Sequence, residues 1–176
     1  RNSVNGLAST NDAKLEVDQT TFTDNYVDIS IGATTVASTF FIRNSQFIST
    51  GNLLPPYNAQ KKEAAVDLTG VSTLTIGGTD IGNTFTSGLN GIRATNSTIN
   101  IYGNAFQNFG NGAPAIRSSG ASGITAIGST GINPGNDFIN STLAVYGTNG
   151  KFTVRGNTFT TVNTGVKIQN CTNKDI

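Results

Sequence analysis

Apolar and polar residues in this chain alternate in short runs, and the runs come in sets. The clearest set is Ile99-Asn100-Ile101-Tyr102-Gly103-Asn104-Ala105-Phe106: an alternating strand, a Gly-Asn corner, and an aromatic residue two positions beyond the Asn. Close variants recur as Ile42-Arg43-Asn44-Ser45-Gln46-Phe47, Ile81-Gly82-Asn83-Thr84-Phe85, Gly135-Asn136-Asp137-Phe138 and Val154-Arg155-Gly156-Asn157-Thr158-Phe159. Aligned on the aromatic residue, the unit returns at Phe22, Phe47, Phe85, Phe106, Phe138 and Phe159, with spacings of 25, 38, 21, 32 and 21 residues. The base period is 21 to 25 residues, and the longer gaps are that period plus an insertion, as solenoid repeats allow.

Two more alternating runs belong to each repeat. One precedes the Phe: Leu15-Glu16-Val17, Phe40-Phe41-Ile42, Leu74-Thr75-Ile76, Ile99-Asn100-Ile101, Ile124-Thr125-Ala126 and Phe152-Thr153-Val154. The other lies earlier: Val27-Asp28-Ile29, Val66-Asp67-Leu68, Ile92-Arg93-Ala94, Ile116-Arg117-Ser118, Leu143-Ala144-Val145 and Val166-Lys167-Ile168. Strands this short are satisfied when each repeat is one coil stacked on the next, with the flanking apolar residues inside and the middle residue in solvent. The pattern predicts an all-β fold, a parallel β-helix of six to seven coils forming one domain over residues 1–176. An antiparallel sandwich also uses many short strands, but gives no reason for Asn and Phe to return in fixed relation. In a coil the Phe residues stack in the core, and the Asn residues satisfy backbone groups at a corner that favours left-handed dihedrals.

With its Asn-x-Phe unit and preceding strands, the sequence resembles the right-handed parallel β-helix repeat proteins of the pectate-lyase-like superfold. Its Asn-, Thr- and Gly-rich style is similar to that of large secreted surface proteins of Bacteroidota type.

Composition narrows the functional classes. Charged residues make up 12% of the chain and the net charge is +1, which points away from a nucleic-acid-binding surface. No apolar run is long enough for a membrane span. The single Cys171 excludes an internal disulfide framework and is expected as a small buried residue. The chain begins at Arg1 without a signal-like segment, and both ends read as parts of coils without caps. The expectation is a secreted or cell-surface segment of a longer chain, or a unit that stacks end to end with its own copies.

Two insertions break the period, at 51–64 (GNLLPPYNAQKKEA) and 128–135 (GSTGINPG). Such insertions emerge as outer loops, where solenoids place binding sites. The first opens onto a strand face whose outward residues are expected to be Asp28, Asp67, Arg93, Arg117, Ala144 and Lys167. One reading is a solvated ladder of surface charges of little energetic weight. The other is a glycan site: Asp67, Arg93 and Arg117, walled by Tyr57, Lys61 and Lys62 and extended by Tyr146, holding a sugar chain that bears carboxylates or sulfates. Arg suits planar bidentate recognition of such groups. A second outward column, Phe41, Thr75, Asn100, Thr125 and Thr153, resembles the Thr ladder of an ice-binding face, interrupted by Phe41 and Asn100.

There is no His, so a Ser-His-Asp triad, a His general base or a His metal site cannot be built. The resemblance implies a polysaccharide lyase as one alternative, with Asp28 and Asp67 as Ca²⁺ ligands and Arg93 or Arg117 as base. Two Asp residues fall short of the about six to eight oxygens Ca²⁺ takes, and no cofactor is expected outside that alternative. The leading expectation is an extracellular structural or adhesive β-helix, part of a cell surface or fibre.

Overall fold

A three-residue strand cannot cover its own apolar face, and this chain covers each one with the next coil. The computed structural model describes residues 5–10, 14–32, 40–51, 62–80, 82–110, 112–120, 124–128 and 131–176. Over these the chain is an all-β parallel solenoid of about five turns, without helix. Successive passes around the axis are made by β1 (Asn5–Ser9), β2 (Glu16–Asp18) and β3 (Thr21–Thr23), then β4 (Val27–Ile31), β5 (Phe40–Arg43) and β6 (Gln46–Ile48). They continue with β7 (Ala64–Thr69), β8 (Leu74–Gly77) and β9 (Thr84–Thr86), and with β10 (Asn90–Thr95), β11 (Ile99–Tyr102) and β12 (Ala105–Gln107). The last passes use β13 (Pro114–Ser119), β14 (Ile124–Gly128), β15 (Asp137–Thr148), β16 (Lys151–Arg155), β17 (Thr158–Gln169) and β18 (Asn173–Asp175). The turn count is slightly below the six to seven expected.

Every strand pairing is parallel. One wall is the seven-stranded sheet β18-β16-β14-β11-β8-β5-β2. The other two walls, β1-β4-β7-β10-β13 and β12-β9-β6-β3, merge into one sheet because the long β15 turns the corner, pairing with β12 through its first half and β13 through its second. Alternation explains which side chains enter: in β10 Ile92 and Ala94 are buried while Arg93 and Thr95 face outward.

Two internal ladders fix the register. Phe22, Phe47, Phe85, Phe106, Phe138 and Phe159 stand in line, their rings stacked with successive centroids 5.2, 4.6, 4.7, 5.0 and 5.2 Å apart. At the corner before them, Asn83 Nδ2 donates to Asn104 Oδ1 at 2.9 Å, Asn104 Nδ2 to Asn136 Oδ1 at 3.0 Å and Asn136 Nδ2 to Asn157 Oδ1 at 3.0 Å. Each of these oxygens also accepts the backbone N–H of the Asn one turn back, and the Nδ2 groups also donate to the strand carbonyls of Ile42, Ile76, Ile101 and Ile127. Buried amides with their donors and acceptors matched carry no desolvation deficit.

None of these Asn residues is left-handed; the positive φ lies one residue earlier before Asn104 and Asn157, at Gly103 (φ 67°) and Gly156 (φ 61°), and before Ser45, at Asn44 (φ 49°). In the first complete repeat Ser45 takes the ladder position, its N–H donating to Asn83 Oδ1 at 3.0 Å. The other two corners are left-handed as well, through Gly70, Asn96, Gly120, Asn149 and Asn170 on one and Asp24, Ser87, Asn108, Asn140 and Thr161 on the other. At most of these corners a single residue with positive φ, commonly Gly or Asn, turns the chain sharply.

Three residues sit in a different frame from the one expected. Strand β4 is read two residues late: Ile29, Ser30 and Ile31 align with Val66, Asp67 and Leu68, so Asp28 turns inward and is fully buried. In β15 Val145 and Tyr146 align with Ile116 and Arg117, which places Ala144 in the core. In β14 Ala126 aligns with Asn100 and Thr153, so Thr125 points inward, 3.2 Å from the Ser118 hydroxyl. The outer column of that sheet is therefore Glu16, Phe41, Thr75, Asn100, Ala126, Thr153 and Asp175, not a threonine grid. Cys171 is half-buried rather than in the core, its Sγ 3.0 Å from the Gln169 carbonyl.

Candidate functional site

The outer face of β7, β10, β13, β15 and β17 carries one column of charge and one of hydroxyls. Parallel register stacks Ser30, Asp67, Arg93, Arg117, Tyr146 and Lys167 in line. Two residues further along each strand, Thr69, Thr95, Ser119 and Thr148 form the second column. Between them lies a shallow open groove of about 280 Å³ lined by Asp67, Thr69, Arg93, Thr95, Arg117 and Ser119.

The two arginines on adjacent rungs have different surroundings. Arg93 forks onto Asp67, with Nε 2.8 Å from Oδ1 and NH2 2.6 Å from Oδ2, and its NH1 meets Glu63. These hydrogen bonds, Asp67 foremost, hold the guanidinium pKa above its ordinary value despite partial burial. Arg117 is exposed, makes no ion pair among the described residues, and lies with its guanidinium carbon 5.9 Å from the centre of the Tyr146 ring. Lys167 Nζ approaches the same ring at 5.8 Å, and the Tyr146 hydroxyl donates to Gln169 Oε1 at 2.9 Å. Cations over an aromatic face are held by the ring quadrupole. The face thus runs from acid, at Glu63 and Asp67, to base, at Arg117 and Lys167.

Of the residues expected to bind a glycan, Asp67, Arg93, Arg117 and Tyr146 share this column. Tyr57 and Lys61 lie outside the described residues. Lys62 is not a wall of the groove: it is 1% exposed and forms an ion pair with Asp28, itself 0% exposed. Asp28 thus lies in the core, whereas Asp67 lies on the outer column. Glu63, Thr95 and Ser119 were not anticipated as site residues. The hydroxyl column was readable by extending the same alternation two positions, whereas Glu63 sits in the insertion, where no period applies.

The buried pair has its own surroundings. Asn25 Nδ2 donates to Asp28 Oδ1 at 3.0 Å, and Lys62 Nζ reaches the Ile48 carbonyl at 3.4 Å. Asp24, nearly buried, accepts the Thr50 N–H at 2.7 Å and hydroxyl at 2.5 Å. Burial pushes the Asp28 carboxyl up and the Lys62 amine down, each toward its neutral form, against the opposing pull of the partner's charge.

No family model, curated protein or solved structure matches this chain. The parallel β-helix architecture is carried by the strand register itself.

Proposed function

We propose that this chain is an extracellular structural or adhesive β-helix, a cell-surface or fibre component that binds an acidic polysaccharide along the column Asp67, Arg93, Arg117 and Tyr146. The observation that carries this reading is Arg117: a solvated guanidinium without a carboxylate partner among the described residues, beside a groove rimmed by hydroxyls. A planar sulfate or carboxylate matches its fork, the hydroxyls of Thr95 and Ser119 offer hydrogen bonds to sugar oxygens, and Lys167 supplies a second positive charge two rungs away, roughly 10 Å at the strand spacing. Arg93 is already neutralised by two carboxylates and serves the site by orienting Asp67. Tyr146, its ring shared by two cations, contributes chiefly as their platform.

The lyase alternative drew on Asp28, Asp67, Arg93 and Arg117 together; of these, Asp67, Arg93 and Arg117 share the outer column and Asp28 lies in the core. The finer kinship to pectate-lyase-like or Bacteroidota-type proteins rests on repeat style.

The test is retention on immobilised dextran sulfate and pectate, with neutral dextran as control. Salt-sensitive retention that Arg117→Ala abolishes is the expected result. Retention unchanged in Arg117→Ala, or equal on neutral dextran, rejects the assignment.

A further inference from the structure

The core contains one feature that neither ladder requires: an amine and a carboxyl sealed together. Lys62 lies two residues before β7 and Asp28 within β4, and these two strands are neighbours in the same wall. Their side chains are 1% and 0% exposed, so no water competes for them. Lys62 Nζ is in contact with Asp28 Oδ2. That oxygen is buried without a well-formed hydrogen bond, whereas Oδ1 is held by Asn25 at 3.0 Å.

The partners fit an amide better than an ion pair. An amide here would keep Oδ1 as its carbonyl oxygen, already hydrogen-bonded by Asn25, and would direct its single N–H toward the Ile48 carbonyl, 3.4 Å from Nζ. The atom to be lost is Oδ2, which has Lys62 Nζ against it but no well-formed hydrogen bond. Condensation would also remove two charges whose burial is costly. Asp24 supplies a second carboxyl beside the pair, held in place by the Thr50 N–H and hydroxyl.

We propose that Lys62 and Asp28 condense into an intramolecular amide that covalently joins β4 to the start of β7. The neutral amine attacks Cγ of the protonated Asp28 carboxyl, the Nζ–Cγ bond forms, and the Cγ–Oδ2 bond breaks. Oδ2 departs as water, carrying its own proton and one from the nitrogen, and Asp24 relays the latter. Carbon keeps its oxidation state, so the step needs no oxidant or activating co-reactant. The shift of both groups toward neutrality supports this, since only a free amine is nucleophilic. The link would close residues 28–62, including most of the first insertion, into a covalent ring. A cut in that insertion would then leave both sides of the solenoid attached.

The experiment is intact-mass measurement on the full chain, folded and held at neutral pH, followed by digestion and fragmentation. The expected result is a mass one water below that of the sequence, with a branched peptide joining the segments that carry Asp28 and Lys62. Asp28→Ala and Lys62→Arg should both show their full mass, and Asp24→Asn should condense on the order of a hundredfold more slowly, as expected for loss of a proton relay. The wild-type chain decides the matter even if a variant does not fold. A full mass, with Lys62 open to amine labelling after denaturation, overturns the proposal. So does a water loss that fragmentation places at a succinimide.

Discussion

Arg93 and Arg117 occupy adjacent rungs of one column, yet Arg93 is closed onto Asp67 and Glu63 while Arg117 faces solvent beside Tyr146. Like charges at this spacing would repel, and the fold separates them by giving one its own carboxylates. The two substitutions should therefore part company. Arg93→Ala, which strips two half-buried carboxylates of their partner, should cost about 1–2 kcal/mol in denaturant unfolding. Arg117→Ala should change stability by less than about 0.5 kcal/mol while removing retention on the acidic polysaccharide. Equal effects on stability would show that the two side chains are not differently committed.

The Phe stack bears the packing. Phe106 is fully buried between Phe85 and Phe138, so Phe106→Ala should cost roughly 3–5 kcal/mol. Phe159 ends the described stack at 40% exposure, and the same change there should cost about 1 kcal/mol. Chemical denaturation of both variants checks the ratio, and comparable losses would mean the rings do not act as a continuous core.

Asn104 bridges its neighbours through every polar atom of its amide. Asn104→Ala would leave the Asn83 N–H without its acceptor and take one hydrogen bond each from the Asn83 amide, the Ile76 carbonyl and the Asn136 oxygen. At about 1–3 kcal/mol for the buried N–H left without a partner and about 0.5–1.5 kcal/mol for each other bond removed, a loss of about 3 kcal/mol is expected. Asn104→Ser should be milder, because Ser45 already fills the equivalent rung and accepts the Thr20 N–H at 3.2 Å. Thermal unfolding of the pair tests that order.

Asp28→Ala would leave Lys62 buried without its partner, a change expected to cost about 3–5 kcal/mol at neutral pH. Burial lowers the folded-state pKa of Lys62 below its ordinary 10.5, so the unfolded chain binds more protons in the interval between the two values. Stability of this variant should then rise with pH through that interval and level off above 10.5. Urea midpoints measured across alkaline pH provide the check; a midpoint that falls over the same range would mean that Lys62 is not buried.

Much of this architecture was legible because two residue types recur in fixed relation. Phe and Asn at a constant offset report the same corner in successive turns, and the structure stacks the six aligned Phe side chains as expected. Frame within a strand was harder to read. Val27-Asp28-Ile29 alternates as well as Ile29-Ser30-Ile31, and local alternation cannot choose between them when the decision is made by Lys62 arriving from another turn. Ala144 and Thr125 failed similarly, since Ala fits either face and a lone inward Thr needs only one hydroxyl neighbour. The column Asp67, Arg93 and Arg117 was found because long side chains mark the outside plainly. The disparity between its two arginines was not, because Glu63 reaches in from an insertion.

The Asn ladder also determines how such a chain can grow. Asn83 and Asn104 are 21 residues apart, as are Phe85 and Phe106. A tandem copy of that 21-residue stretch would set a new amide and a new ring in line with the old ones. Each amide–amide bond of the ladder runs from the Nδ2 of the earlier Asn to the Oδ1 of the later one, so the copy also inherits a direction. Length can therefore change by whole coils through duplication or deletion, whereas the gain or loss of a single residue at that corner would interrupt both ladders at once.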